Sequence, residues 1–262
     1  MRMLLCTDGS PHGQAALRFG ALLAQGSDEP ATLLGVLEPP AERAGIEEAL
    51  REGRELLAKA RAPRLKIRRG DAAQEILDEA SPQDYDLVVV GTRGRRGITR
   101  FLLGSTAERI ARRAALPALL VQGERQGLDR ILVCTAGGKP GLATVDLGGR
   151  VAKLSGAQVT VLHVMSQLSA TPVLPQASAL RVMPQTPAPP EPSGVQLEHL
   201  EAPAEELITL DTPEGLHLRD ALAILADQRV PARALVRHGL VVDEIVAEAC
   251  EGDYDLLVVG AH

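Results

Sequence analysis

The stretch DYDLVVVG at residues 84–91 returns as DYDLLVVG at residues 253–260. Each copy follows a segment with helical periodicity, EILDEA at residues 75–80 and EIVAEA at residues 244–249. A short apolar run that closes on a glycine is typical of a buried strand, because it is too brief to be a helix. The repeat therefore predicts a helix followed by a buried strand at two places in one chain.

Two more pairs of strand-like segments occur in the same order before the two copies. LLCT at residues 4–7 matches LVCT at residues 132–135, and TLLGV at residues 32–36 matches TVLHV at residues 160–164. Chance is a poor explanation for matches that keep their order. The chain is therefore interpreted as two copies of one unit.

The first predicted domain, residues 1–125, alternates short apolar runs with longer segments of helical period. This alternation is typical of βαβ units and a parallel sheet. Strands are predicted near residues 2–6, 31–37, 64–69, 85–90 and 117–122. Helix N-caps are predicted at Ser10, Asp71 and Ser105, the last two at capping-box spacing before Gln74 and Glu108. The fold class is therefore α/β, with two tandem doubly wound parallel-sheet domains of Rossmann-like type.

The second predicted domain, residues 126–262, differs from the first in two places. Between a strand near residues 158–164 and a helix near residues 214–228 lies an insertion over residues 166–213. Seven of the 22 residues from 171 to 192 are proline, which predicts an extended, mobile loop. The printed sequence ends directly after the fourth strand, so we expect no fifth strand in this domain.

Composition excludes several classes of protein. Hydrophobic residues make up 45% and charged residues 24%, which is a globular balance. Aromatic residues are 2% and the net charge is −6, so neither stacking platforms nor a basic surface is available for nucleic acid. No apolar run approaches the roughly 18 residues of a membrane span, so we expect a cytoplasmic protein without a membrane partner. Three cysteines without metal-site spacing predict no metal bound by protein side chains.

The glycine-rich stretch GTRGRRGITRFLLGS at residues 91–105 runs from the end of a predicted strand to the start of a helix. Its N–H groups then face the carboxyl edge of the sheet, where phosphate groups bind. Gly91, Gly94 and Gly104 would let the backbone approach an anion closely, and Ser105 and Thr106 add hydroxyl donors. The alternative is an ordinary glycine-rich loop before a capped helix.

The spacing G-x2-G-x9-G-S of this stretch resembles the nucleotide-binding signature of the universal stress protein family. The turn Thr7-Asp8-Gly9-Ser10 resembles the adenosine-binding turn of that family, and residues 32–36 resemble its second strand. The resemblance covers residues 1 to about 122 and most of residues 129–262. It implies two domains of the adenine nucleotide alpha hydrolase-like fold.

The resemblance also implies a ligand and the residues that hold it. The ligand is ATP, with AMP and ADP as alternatives, and Mg as an ion bound to the phosphates. The turn of Thr7 and Asp8 holds the ribose and adenine side, and Asp8 could otherwise be a simple turn former. Val36 contacts adenine through its backbone. The residues that contact the phosphates are Gly91, Gly94, Gly104, Ser105 and Thr106. Arg93 and Arg95 add positive charge there, and the alternative is that these two arginines are simply solvated.

The second copy lacks two of these features. Ala136 stands where the first copy has Asp8, and the glycine stretch reaches only residues 260–262. We therefore expect nucleotide in the first domain alone, with the second domain degenerate. His163 is expected to be a half-buried strand residue rather than a ligand.

These features favour an ATP-binding sensor or regulator in stress response over an enzyme. The ionisable groups of the loop are arginines, which cannot take a proton, so hydrolysis would be slow at most. A nucleotide-free interaction module remains an alternative, and an ATP-pyrophosphatase-type enzyme ranks low because its SGGxDS loop is missing. We also expect an unidentified protein partner and a homodimer formed through the apolar edge strand near residues 117–122.

Overall fold

The computed structural model describes residues 1–38, 43–58, 61–81, 83–92, 103–124, 126–165 and 203–260. Contacts divide the chain into two compact units. Unit 1 comprises residues 1–129 and 150–157, and unit 2 comprises residues 130–149 and 158–262. The division near residue 130 lies in the segment that connects the two sheets.

Unit 1 contains a five-stranded parallel sheet in the order β3-β2-β1-β4-β5. Its strands are β1 (Met3–Thr7), β2 (Thr32–Leu37), β3 (Arg64–Arg69), β4 (Leu87–Gly91) and β5 (Ala118–Val121). Its helices are α1 (Pro11–Gln25), α2 (Arg43–Leu56), α3 (Ala72–Glu79) and α4 (Ser105–Arg113). These strands match the predicted ones to within about two residues, because each is a short apolar or alternating run between turns.

The central strands are buried on both faces of the sheet. Every residue of β1 is buried, and so are the first four residues of β4. One face packs Leu4 and Val88 against Ile76 of α3 and Ile110 of α4. The sheet is therefore covered by helices, as the near-continuous apolar character of these strands requires. The predicted α/β fold with parallel sheets is confirmed.

Two of the three predicted helix caps have the predicted side-chain bond. The Ser10 hydroxyl accepts a hydrogen bond from Gly13 N, and Pro11 occupies the first helical position of α1. Asp71 caps α3 by accepting from Gln74 N. The capping box of α3 does not close, however, because the Gln74 side chain donates to Asp78 instead of turning back.

The predicted cap of α4 is wrong by one residue. Gly104 is the N-cap, with an extended backbone, and Ser105 is already the first helical residue. The Gly104 N–H donates to the Thr92 carbonyl at 2.7 Å, and this bond holds Gly104 outside the helix. Among the described residues, no side chain caps the N-terminus of α4.

Unit 2 contains a four-stranded parallel sheet in the order β8-β7-β6-β9 within its described residues. Its strands are β6 (Arg130–Thr135), β7 (Gln158–Met165), β8 (Ala232–His238) and β9 (Leu256–Val258). The helices that follow β6 are α5 (Gly138–Ser155), whose residues from 150 onward are counted with unit 1, α6 (Ala204–Leu207), α7 (Pro213–Asp227) and α8 (Val241–Glu251). Between residues 203 and 260 no helix corresponds to α4, and the apolar side chains of Val242 and Val246 on α8 are exposed.

The prediction of a mobile loop over residues 166–213 is wrong at the C-terminal end of that range. Residues 204–207 form the short helix α6, in which Ala204 and Leu207 are buried. Leu207 packs with Met165 at the end of β7, which explains why this part of the insertion is ordered. Residues 166–202 lie outside the described residues.

The repeated DYD turn ties the same elements together in both units. In unit 1 the Tyr85 hydroxyl donates to Glu79 at 2.7 Å, and Asp86 accepts from the backbone N–H of Arg2 at 2.7 Å. Glu79 also pairs with two basic residues of β3, Lys66 and Arg68. The turn thus anchors α3 and β3 to the start of β1.

Unit 2 repeats this network with one basic residue fewer. The Tyr254 hydroxyl donates to Glu248 at 2.7 Å, and Asp255 accepts from the backbone N–H of Arg130 at 3.1 Å. Arg237 of β8 pairs with Glu248 of α8. The most visible repeat of the sequence is therefore an element of the fold rather than of a binding site.

Candidate functional site

The carboxyl edge of the unit 1 sheet brings together the ends of β1, β2 and β4. The chain proceeds from β1 through β2 to β3 on one side and then continues through β4 and β5 on the other. The order therefore reverses between β1 and β4. Ligands of open α/β sheets bind in the crevice at such a reversal.

The turn after β1 holds the Asp8 carboxylate. The Oδ1 atom of Asp8 accepts from Ser10 N at 3.0 Å, and Gly9 adopts the left-handed conformation at φ 73°. Gly9 N donates to the Thr7 hydroxyl at 3.1 Å. Asp8 is thus a turn former, as the alternative interpretation proposed. Its Oδ2 atom makes no hydrogen bond within the described residues, so the carboxylate keeps an acceptor for a ligand.

Gly13 is a site residue that the sequence analysis missed. A Cβ at Gly13 would lie 2.6 Å from Asp8 Oδ1 and 2.8 Å from the Thr7 hydroxyl oxygen. The first turn of α1 can therefore approach the carboxylate only because this residue has no side chain. The signal that could have identified it is a glycine three residues after the predicted helix cap at Ser10.

The end of β2 presents the backbone of Val36. The Leu37 carbonyl accepts from Gly70 N on the β3 side, so by strand alternation the Val36 carbonyl is directed toward β1. Pairing with β1 stops where Thr7 lies opposite Gly35. The next backbone N–H in that register is that of Gly9, and it donates to the Thr7 hydroxyl instead of to β2. The Val36 carbonyl is therefore placed for a ligand donor.

Gly91 ends β4 and packs tightly on α1. A Cβ at Gly91 would lie 2.6 Å from the His12 carbonyl oxygen and 3.2 Å from Gly13 N. The described contacts show that Gly91 gives room to the first turn of α1, and its contact with a phosphate stays a prediction. The packing on α1 fixes the end of β4 beside the Asp8 turn.

The two ends of the glycine-rich stretch, at Thr92 and Gly104, are hydrogen-bonded to each other beside the end of β4. Thr92 N donates to the Val121 carbonyl at 2.9 Å, and the Thr92 carbonyl accepts from Gly104 N. Ser105 and Thr106 follow as the first two residues of α4, so their N–H groups have no intrahelical acceptor. The uncapped helix N-terminus is a partial positive charge suited to an anion. Arg93, Gly94 and Arg95 lie outside the described residues.

The corresponding edge of unit 2 is built differently. Thr135 lies opposite His163, as Thr7 lies opposite Gly35 in unit 1. His163 Nδ1 is 3.0 Å from the Thr135 carbonyl oxygen, and His217 Nε2 of α7 is 2.7 Å from the Thr135 hydroxyl. The two imidazole rings lie 6.0 Å apart. Buried side chains therefore satisfy the polar groups at the end of β6, and Ala136 adds no acceptor.

The surroundings of His217 disfavour its charged form. Burial lowers its pKa, and the neighbouring His163 lowers it further, against a smaller opposite effect of Asp220. The folded state therefore binds a proton on His217 less readily than the unfolded chain does. The stability that follows is present above the ordinary pKa of 6.5 and is lost as the pH falls below it. Within the described residues no group of three or more potential metal ligands occurs.

A family model described as the universal stress protein family matches residues 1–122 and again residues 127–262. A universal stress protein from Thermus aquaticus, encoded beside a QAH/OAS sulfhydrylase gene, is 30% identical over 133 residues. That alignment covers 46% of this chain and 97% of the relative. Universal stress protein MJ0531 from Methanocaldococcus jannaschii is 45% identical over 53 residues, which cover 20% of this chain and 31% of that protein.

Two solved structures match nearly the whole chain. A universal stress protein from Archaeoglobus fulgidus has a TM-score of 0.59 at 17% identity, over 98% of this chain and 85% of that one. PA1789 from Pseudomonas aeruginosa has a TM-score of 0.61 at 15% identity, over 98% and 80%. At these identities the likeness establishes the fold. Within the described residues, none of the helices combines the length and apolarity needed to cross a bilayer.

Proposed function

Because the chain belongs to the universal stress protein family, as its two family-model matches show, we propose that unit 1 binds ATP and acts as a nucleotide-dependent regulator in stress response. One observation carries the proposal. The available Asp8 oxygen, the Val36 carbonyl and the uncapped N-terminus of α4 all lie along the same edge of one sheet.

The residues of this edge suit the parts of a nucleotide. A carboxylate oxygen accepts hydrogen bonds from ribose hydroxyls, and a backbone carbonyl accepts one from the amino group of adenine. The N–H groups of Ser105 and Thr106 and the dipole of α4 suit phosphate. AMP and ADP share these features and are alternatives to ATP. Mg would be held by the phosphates, and it would supply charge neutralisation there.

We propose no catalytic role for the described residues of this edge. Asp8 already accepts the Ser10 N–H and belongs to the nucleoside end of the proposed site, so it is not positioned as a base for water at the phosphates. Hydrolysis would therefore be slow at most. A nucleotide-free interaction module of the same fold is the competing function, and retention of nucleotide by the purified protein separates the two.

Titration of the full chain with ATP is expected to give about one site per chain. Unit 2 has Ala136 in place of Asp8, and the polar groups at the end of β6 are already bonded to each other. Asp8→Ala should weaken binding by about 1–3 kcal/mol, because hydrogen bonds to a charged acceptor are lost. Isothermal titration calorimetry measures both the stoichiometry and the affinity.

Two controls accompany this titration. Asp8→Asn keeps an oxygen for the Ser10 N–H but removes the charge, so it should bind more weakly than wild type and melt at the same temperature. Asp28→Ala removes an exposed carboxylate from the turn before β2, and it should change nothing. Two sites per chain, or full affinity in Asp8→Ala, would contradict the proposed site.

We also propose that two chains pair through β5. It is the edge strand of the unit 1 sheet, and apolar edge strands tend to be covered or paired. Leu120 lies in the middle of this strand and is half-buried. Light scattering at micromolar concentration should give the mass of a dimer for wild type and of a monomer for Leu120→Lys. A monomeric wild type would exclude this pairing.

A further inference from the structure

Thr92 has a buried hydroxyl that finds no hydrogen-bond partner among the described residues. The residue is 8% exposed, and its Oγ1 atom is shielded from solvent. Three other buried threonines of the described residues are bonded through their hydroxyls: Thr7, Thr135 and Thr160. A buried donor without an acceptor destabilises the folded state, so this exception calls for a reason.

The backbone of Thr92 is held on both sides. Its N–H donates to β5 at Val121, and its carbonyl accepts from Gly104, the N-cap of α4. Strand alternation places Thr92 on the same face as Val90, which packs in the core with Ile110 of α4. The unpartnered hydroxyl therefore lies on the α4 side of the sheet, next to the residue at which that helix begins.

The first N–H donors of α4 have no side-chain acceptor among the described residues. Gly104 provides no side-chain cap, and the first N–H groups of a helix have no intrahelical acceptor. The backbone bond between Thr92 and Gly104 places the residue that carries this hydroxyl next to the first turn of α4. A single anion bound there could accept from the hydroxyl and from these N–H groups, since phosphate oxygens are strong acceptors of charge-assisted hydrogen bonds.

The two copies of the unit differ at this position. The repeat aligns Gly91 with Gly260, so residue 261, an alanine, corresponds to Thr92. The copy that lacks the Asp8 carboxylate therefore also lacks this hydroxyl. The two groups occur together in unit 1 and are both replaced by alanine in unit 2.

We propose that the Thr92 hydroxyl donates to the phosphate bound at the N-terminus of α4, and that it makes unit 1 selective for phosphorylated adenosine over adenosine. This role rests on the proposed nucleotide binding. It adds a residue that the glycine signature does not specify. A valine has nearly the same shape but no hydroxyl, so it separates the hydrogen bond from the packing.

The test compares wild type, Thr92→Val and Thr92→Ser by calorimetry with ATP and with adenosine. Thr92→Val should bind ATP at least about tenfold more weakly, the loss expected for one hydrogen bond to a charged group. Its affinity for adenosine should be unchanged, and Thr92→Ser should bind ATP nearly as wild type does. An equal loss for ATP and adenosine would overturn the role, because it would indicate a structural defect.

Thermal unfolding without ligand gives a second readout. Thr92→Val should melt no lower than wild type, because the methyl group replaces a hydroxyl that has no partner. The matched control is Thr160→Val, which removes a buried hydroxyl of unit 2 that accepts from Arg233 at 3.2 Å. This control should melt lower and bind ATP with unchanged affinity.

The outcomes separate the two proposals. If wild type binds ATP and Thr92→Val binds it equally well, the role of Thr92 is wrong and the proposed function stands. If wild type binds neither ATP nor pyrophosphate, the proposed function is wrong, and the role of Thr92 with it.

Discussion

Gly104→Val is expected to abolish binding of ATP to the full chain. Gly104 is the N-cap of α4, and its N–H is already bonded to the Thr92 carbonyl. A branched side chain at this position would stand at the end of the helix, where the proposed phosphate meets the free N–H groups. Calorimetry should detect no heat of binding under conditions in which wild type saturates.

The substitution is expected to leave the fold intact. The backbone of Gly104 has φ −65° and ψ 151°, a conformation open to any residue. Leu240 caps α8 of unit 2 in a similar conformation, also without a side-chain bond, so this fold accepts an apolar N-cap. Thermal unfolding and circular dichroism should therefore match wild type to within about 1 kcal/mol, the usual cost of a poor cap. ATP binding by a folded Gly104→Val protein would show that phosphate does not bind at α4.

Glu79→Ala is expected to lower the free energy of unfolding of unit 1 by about 1–3 kcal/mol, the cost of leaving a buried hydroxyl without its acceptor. The Glu79 side chain is 6% exposed and accepts hydrogen bonds from Tyr85 and from two basic residues of β3, Lys66 and Arg68. Its removal leaves the Tyr85 hydroxyl buried without its acceptor and two cations without their anion. A loss of this size is a large fraction of the stability of a typical domain.

Hydrogen exchange measured by mass spectrometry can assign the loss to one unit. Peptides from β1 and β4 should exchange faster in Glu79→Ala, and peptides from β6 should not. Glu248→Ala is the matched control, because Glu248 occupies the same place in unit 2 but is 12% exposed and pairs with a single arginine. A smaller effect is expected there, confined to unit 2. Equal exchange in all strands of Glu79→Ala would contradict the role of this network.

The same carboxylate makes unit 1 sensitive to acid. Burial raises the pKa of Glu79, but hydrogen bonds from Lys66, Tyr85 and Arg68 together bring the pKa below its ordinary value of 4.5. The folded state therefore binds this proton less readily than the unfolded chain. The stabilisation is complete above pH 4.5 and decreases as the pH falls below that value. Glu79→Gln should remove this part of the pH dependence.

Predictions that rest on short stretches of sequence agree closely with the structure. The strands of unit 1 and the cap of α1 at Ser10 were predicted, because strand periodicity and capping are properties of a few neighbouring residues. The repeat of the DYD turn predicted two similar sheets, and the structure contains both. The turn of Asp8 was likewise readable from Asp-Gly chemistry.

The predictions that needed correction depend on a distant partner. Ser105 has the chemistry of an N-cap, but Gly104 is the cap because its N–H reaches back to the end of β4. Residues 204–207 lie in a segment predicted to be a mobile loop, yet Leu207 finds an apolar partner at the end of β7. In each case a contact with a residue far away in the sequence overrides the local preference.

The amino-acid pattern was sufficient for the duplication, the fold class and the family, because these depend on periodicity and on motif spacing within each copy. The pattern was not sufficient to assign the structural role of individual residues. Gly91 looks like an anion loop glycine, but it packs on the first turn of α1. Thr92 has no distinctive role in the sequence pattern, but its buried hydroxyl has no partner among the described residues. Whether a polar group has a partner depends on which elements meet in space, and neighbouring residues in the sequence do not report that.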